Sequence, residues 1–146
     1  MDTPAVTSAF LPLSHHGDWS GPNRLWIMDP ATPSRSPGAM TAAGRSLRYS
    51  WAHEGAAHAG SIELKGQPAA MQAIWRDSFH AKDPITLHGC TDAGVIRLYT
   101  TYDAGDESWG WQIELDARDP EALVMRMFNV MPGLGAVPAV VLHGSR

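Results

Sequence analysis

The stretch Trp109-Gly110-Trp111-Gln112-Ile113-Glu114-Leu115 alternates large apolar side chains with small or polar ones at every step. A period of two belongs to a β-strand, whose successive side chains point to opposite faces. Trp109, Trp111, Ile113 and Leu115 therefore share one face, and Gly110, Gln112 and Glu114 share the other. With one face apolar, the strand is half-buried against a core.

Working outward, the same alternation recurs between turn signals spaced about ten residues apart, the pattern of a sandwich or barrel. The segments read as strands over roughly Gly17–Asp29, Gly44–Glu54, Ala59–Gly66, Ala69–His80, Pro84–Cys90, Gly94–Tyr102, Ser108–Ala117, Glu121–Val130 and Ala136–His143. Glu54-Gly55, Asp92-Ala93-Gly94 and Asp103-Ala104-Gly105-Asp106 supply residues that tolerate positive φ in hairpin turns. Asp83-Pro84 and Asp119-Pro120 open new strands, where a missing N–H costs least. Only Pro68 to Ala73 is briefly helical in pattern. Short connections make successive strands antiparallel neighbours. About nine to ten such strands hide their two edges by closing, so the expected fold is a single all-β, up-and-down antiparallel barrel. Residues 1–16 read as an N-terminal tail and 17–146 as the barrel domain, with His15-His16 as ordinary surface. Asp29 to Ala43, with three Pro and many small polar residues, reads as a long loop and mobile cover.

Composition narrows the function classes. The formal charge of −4 comes without a cluster of cations, which argues against a nucleic-acid or anionic-membrane surface. A single cysteine, Cys90, excludes an intrachain disulfide. The N-terminus carries Asp2 where a signal peptide needs cations, and no apolar run is long enough to span a membrane. A cytoplasmic location is the resulting expectation. Six Trp in 146 residues is the compositional outlier, and Trp serves to fill a core, plug a barrel or line a pocket.

The first segment holds Gly17-Asp18-Trp19, then Ser20-Gly21 and Leu25-Trp26. Gly-x-Trp on the first strand of a meander resembles the calycin superfamily, the lipocalins and fatty-acid-binding proteins, and implies that Trp19 closes one end of the barrel. The chain from Gly17 onward also resembles a bacterial family of calycin-type proteins, through Tyr49-Ser50-Trp51 with Glu54-Gly55, Trp75 to His80, Trp109-Gly110-Trp111 and Asn129-Val130-Met131-Pro132. That resemblance implies a fold and no particular activity. The Pro-rich stretch stands where fatty-acid-binding proteins have a helical lid.

The segment Ile74-Trp75-Arg76-Asp77-Ser78-Phe79-His80 sets out the candidate site. Parity puts Trp75, Asp77 and Phe79 inside and Arg76, Ser78 and His80 outside, with His80 outward or at a strand end. A carboxylate inside a barrel must find a donor or become protonated, because unpaired burial costs roughly several kcal/mol. The candidates are Arg48, Arg97, Arg126, Tyr49 and Tyr99. The expected ligand is a small apolar or amphipathic molecule, walled by Trp51, Trp75, Phe79, Trp109 and Trp111 and oriented by Tyr49, Asp77, Arg97 and Tyr99. Alternatives are a haem or metal site on His143 or His80, an enzyme using Asp77 or His80 as acid or base at the barrel mouth, and a filled barrel that serves association. His53 and His58 flank a turn, but two His fall short of a zinc site. Leu123 to Phe128 is apolar on both sides, so its outer side expects cover from the N-terminal tail or from a second copy in a homodimer.

Overall fold

The structure, a computed structural model, describes residues 10–27 and 29–146. A 3-10 turn over Leu13–His15 precedes ten strands: β1 Gly17–Leu25, β2 Ser34–Ala43, β3 Ser46–His53, β4 Ala56–Gln67, β5 Ala70–Asp77, β6 Ala81–Asp92, β7 Val95–Ala104, β8 Glu107–Asp116, β9 Ala122–Met131 and β10 Gly135–Ser145. Each strand pairs with its neighbours in sequence, and β1 pairs with β10 to close the barrel. No helix among the described residues is long and apolar enough to cross a membrane. The up-and-down closed barrel is thus the expected architecture.

The expected loop over Asp29–Ala43 is corrected. Its second two-thirds is β2, in register with β1 from Gly17↔Ala42 to Leu25↔Ser34. Gly38, Met40 and Ala42 face inward, and the small size of Gly38 and Ala42 hides the period-two signal. Pro37 is accommodated because it lies beyond the β2–β3 pairing, which runs from Ala39 to Ala43, and stands opposite Pro22 on β1, so that neither residue of that pair has an N–H to place.

The Glu54-Gly55 turn joins the paired residues His53 and Ala56 with both turn residues at positive φ, the two-residue geometry that suits the right-handed twist of a hairpin. Interior residues of all ten strands form one core that includes Trp19, Met40, Leu47, Ile62, Leu87, Leu98, Ile113, Met125 and Leu142.

One end of the barrel is sealed. Trp19 is buried, donates its indole N–H to the His15 carbonyl at 2.8 Å, and lies under the Arg146 guanidinium, 4.1 Å from the ring centroid. His15 is not surface, as expected, but 2 % exposed. Its ring stacks on Trp19, and its Nε2–H reaches the carbonyls of Asp119 (2.9 Å) and Ala122 (3.1 Å), which ties the plug to the β8–β9 connection. Phe10 and Leu11 join the same core, so with His15 they plug this end, while Pro12, Leu13 and Ser14 stay exposed.

Candidate ligand cavity at the open end

At the opposite end, β5 stops at Asp77 because that side chain caps the turn that follows. Asp77 Oδ1 accepts the backbone N–H groups of Phe79 and His80, each at 2.8 Å. This local bond competes with the sheet ladder and breaks the alternation, and the β5–β6 register shifts between Trp75 and Asp77. Of the two placements expected for His80, outward or at a strand end, the structure shows the second, in the turn between β5 and β6. The turn brings it in beside Asp77, half-buried, with its ring centroid 5.0 Å from Trp111 and 4.7 Å from Phe79.

Asp77 is 2 % exposed and its partner is Tyr49, whose hydroxyl donates to Oδ2. The same Tyr49 oxygen accepts the Trp75 indole N–H at 2.8 Å. The phenol reaches Asp77 by crossing β4 at Gly60, which is in register with both Tyr49 and Asp77. A Cβ on Gly60 would stand 2.2 Å from the Tyr49 hydroxyl, so the contact needs glycine there. Burial pushes the Asp77 carboxyl up, but His80 and the Tyr49 hydroxyl outweigh it and hold the group below the ordinary carboxylate value. Burial and the Asp77 charge push Tyr49 well above the ordinary phenol value, so it remains a neutral donor. His80 Nδ1 lies 3.4 Å from Asp77 Oδ1, an ion-pair distance that misses hydrogen-bond alignment.

Beside this group is a cavity of about 200 Å³ lined by Trp75, His80, Ile85, Thr100, Tyr102, Trp111 and Asn129. Trp75 and Trp111 stack at 5.1 Å and 14° to make one apolar wall. Thr100, Trp111 and Asn129 sit side by side across β7, β8 and β9. The Tyr102 hydroxyl donates to Asn129 Oδ1, which leaves the amide N–H₂ of Asn129 as a donor. Trp111 is 4 % exposed, and its indole nitrogen has no hydrogen-bond partner among the described residues. Trp51 Nε1 is in the same condition. So are the side-chain atoms of Asn23, which lies outside the cavity wall.

The other expected site residues distribute differently. Trp51 is buried and packs edge-on to Phe79 at 5.4 Å, and Phe79 is gripped by His53 and His58 at 5.8 and 5.0 Å, so these form the rim rather than the wall. Trp109 is half-buried at the rim, where it meets Tyr102 and donates to Glu107. Arg97 and Tyr99 do not orient a ligand in the interior. Both are exposed outside the barrel, because Ile96 and Leu98 take the inward positions of β7. Arg97 approaches Asp92 and Glu114 there, and Tyr99 lies over Gly110. Arg126 also faces out, to Asp116 at 3.0 Å, and Arg48 is exposed. His143 is exposed on the outside of β10, away from the cavity. Among the described residues no group of three or more His, Cys, Asp or Glu is set to hold a metal ion.

Thr100, Tyr102, Asn129 and Ile85 are the lining residues that the expected site lacks. Parity carries the signal for three of them: Ile96, Leu98, Thr100 and Tyr102 share a face of β7, and Met125, Met127 and Asn129 share a face of β9.

Compared with models of protein families and with curated proteins, the chain matches none. The closed antiparallel barrel is consistent with a calycin-like fold.

Proposed function

We propose that this chain is a calycin-type barrel that binds one small, single-ring amphipathic molecule in the cavity at its open end. The observation that carries the reading is the pairing of size with lining. A dry cavity of about 150 Å³ holds a benzene ring, and the one here, about 200 Å³, leaves room for a ring with one or two small substituents. Drug-sized ligands occupy about 300–1,000 Å³, so a long lipid or a haem is too large for this space. Trp75, Trp111 and Ile85 supply the apolar wall, and Thr100, Asn129 and His80 converge as the few polar groups that fix an orientation. Trp19 closing the far end supports the calycin reading, since Gly17-Asp18-Trp19 occupies the start of β1.

Titration of the protein with phenol, toluene and a long-chain fatty acid, followed by tryptophan emission, tests the reading. Saturable quenching by the ring compounds and none by the fatty acid is expected. Saturation by the fatty acid alone would overturn it.

A further inference from the structure

The chemical class of the ligand follows from which polar atoms the cavity leaves over, and the inference rests on the single-ring reading above. At the cavity wall Trp111 Nε1 is buried with no hydrogen bond among the described residues, and the His80 ring, whose Nδ1 faces Asp77 without bonding it, has its centroid 5.0 Å from that of Trp111. A buried N–H without an acceptor carries a desolvation penalty that a ligand oxygen relieves. The indole nitrogen is a donor only, so it calls for an acceptor on the ligand. His80 has the opposite capacity. Its Nδ1 lies 3.4 Å from the Asp77 carboxylate, and its other ring nitrogen, Nε2, has no hydrogen-bond partner among the described residues and can accept from a ligand hydroxyl. The titratable groups around His80 are few. Asp77 belongs to its own turn, Tyr49 stands behind Asp77 on β3, His53 and His58 lie beyond Phe79, and Tyr102 faces it across the cavity. Asn129 adds a second neutral donor, since its oxygen is already taken by Tyr102.

We propose that the cavity takes a single-ring aromatic compound bearing an acidic hydroxyl, and that His80 accepts the hydroxyl proton. The O–H bond of the ligand breaks and an N–H bond forms at the imidazole. The ligand stays as its phenolate, facing the imidazolium, with the Trp111 indole N–H and the Asn129 amide as further donors. No electron transfer is involved, and the proton returns when the ligand leaves. A compound with the ring but no hydroxyl fills the same space without using these donors and binds more weakly.

4-Nitrophenol tests this directly, because its neutral and anionic forms absorb at separate wavelengths. With the full chain in excess, at a pH about one unit below the midpoint of the free probe, the bound probe is expected to show the anion band. Its apparent midpoint is expected to fall by about one unit or more, the scale of an opposite charge within a few ångströms. Nitrogen-15 NMR of the His80 ring is expected to move to the doubly protonated pattern with 4-nitrophenol and to stay put with toluene. A probe that quenches tryptophan emission yet keeps its neutral spectrum overturns the proton transfer and leaves the cavity reading standing. If neither toluene, phenol nor 4-nitrophenol binds, both fall. An anion band that persists in His80→Gln removes His80 as the acceptor.

Discussion

Tyr49→Phe removes one oxygen and no carbon, so it tests the hydrogen-bonded chain beneath the cavity without opening a void. That oxygen serves two buried partners, accepting from Trp75 Nε1 and donating to Asp77 Oδ2. Without it the indole N–H has no acceptor, a loss of about 1–3 kcal/mol for an unsatisfied buried donor. Asp77 also loses a hydrogen bond to a charged group, worth about 1.5–3 kcal/mol in isolation. The carboxylate keeps the backbone N–H groups of Phe79 and His80, so part of the second loss is absorbed. Together the substitution costs about 2–4 kcal/mol, a large share of the ~5–15 kcal/mol that holds a domain folded. Urea unfolding followed by circular dichroism measures it, with the midpoint falling and the slope unchanged. A loss below about 1 kcal/mol would refute the Trp75–Tyr49–Asp77 chain as a buried, mutually dependent unit.

Gly60→Ala forces a methyl onto the Tyr49 hydroxyl, 2.2 Å away, and should cost at least as much as Tyr49→Phe. In the double variant the two losses should add to less than their sum, since they break the same contact; full additivity in urea melts would contradict the crossing at Gly60. Asp77 and Asp116 both sit below the ordinary carboxyl value of 3.8, Asp77 despite its burial and through His80 and Tyr49, Asp116 chiefly through Arg118. The unfolded chain therefore binds these protons first on acidification, so their stabilisation is whole above about pH 5 and is lost as pH falls through the folded values. Thermal melts from neutral pH down to pH 3 or so should show that decline, with a shallower slope in Asp77→Asn, and a midpoint that rises on acidification would contradict it. Trp19→Ala opens the sealed end and should cost about 3–5 kcal/mol in denaturant melts; a loss below about 1 kcal/mol would show that His15 and Phe10 close that end without the indole.

The barrel was legible because its strands alternate, as in Trp109–Leu115, where burial follows the pattern from Trp111 to Leu115 and departs from it only at Gly110, which is buried under Tyr99, and at the half-buried Trp109. β2 was not legible, since Gly38 and Ala42 are buried by being small and carry no hydropathy contrast with the Ser, Pro and Thr between them. At the site, Asp77 inside with a donor partner follows from parity and the cost of a bare carboxylate, while the choice of Tyr49 over the candidate arginines does not. His80 does not, because its direction is set by the hydrogen bonds that Asp77 makes to the turn, a local geometry that alternation cannot express. Arg97 and Tyr99 show the opposite failure. Their chemistry suits a ligand, but Ile96 and Leu98 on the same strand leave them no place inside.

The indole N–H resonances of the uniformly ¹⁵N-labelled protein test most directly whether the interior cavity is the binding site. On titration with phenol, the Trp75 and Trp111 signals should shift together and saturate, since both rings line the cavity. The Trp26 signal, whose N–H is bonded to the Pro30 carbonyl outside it, and the Trp19 signal at the sealed end should stay in place. Shifts confined to Trp26 and Trp109, or Trp75 and Trp111 signals that stay fixed at saturating phenol, would contradict a ligand inside the barrel.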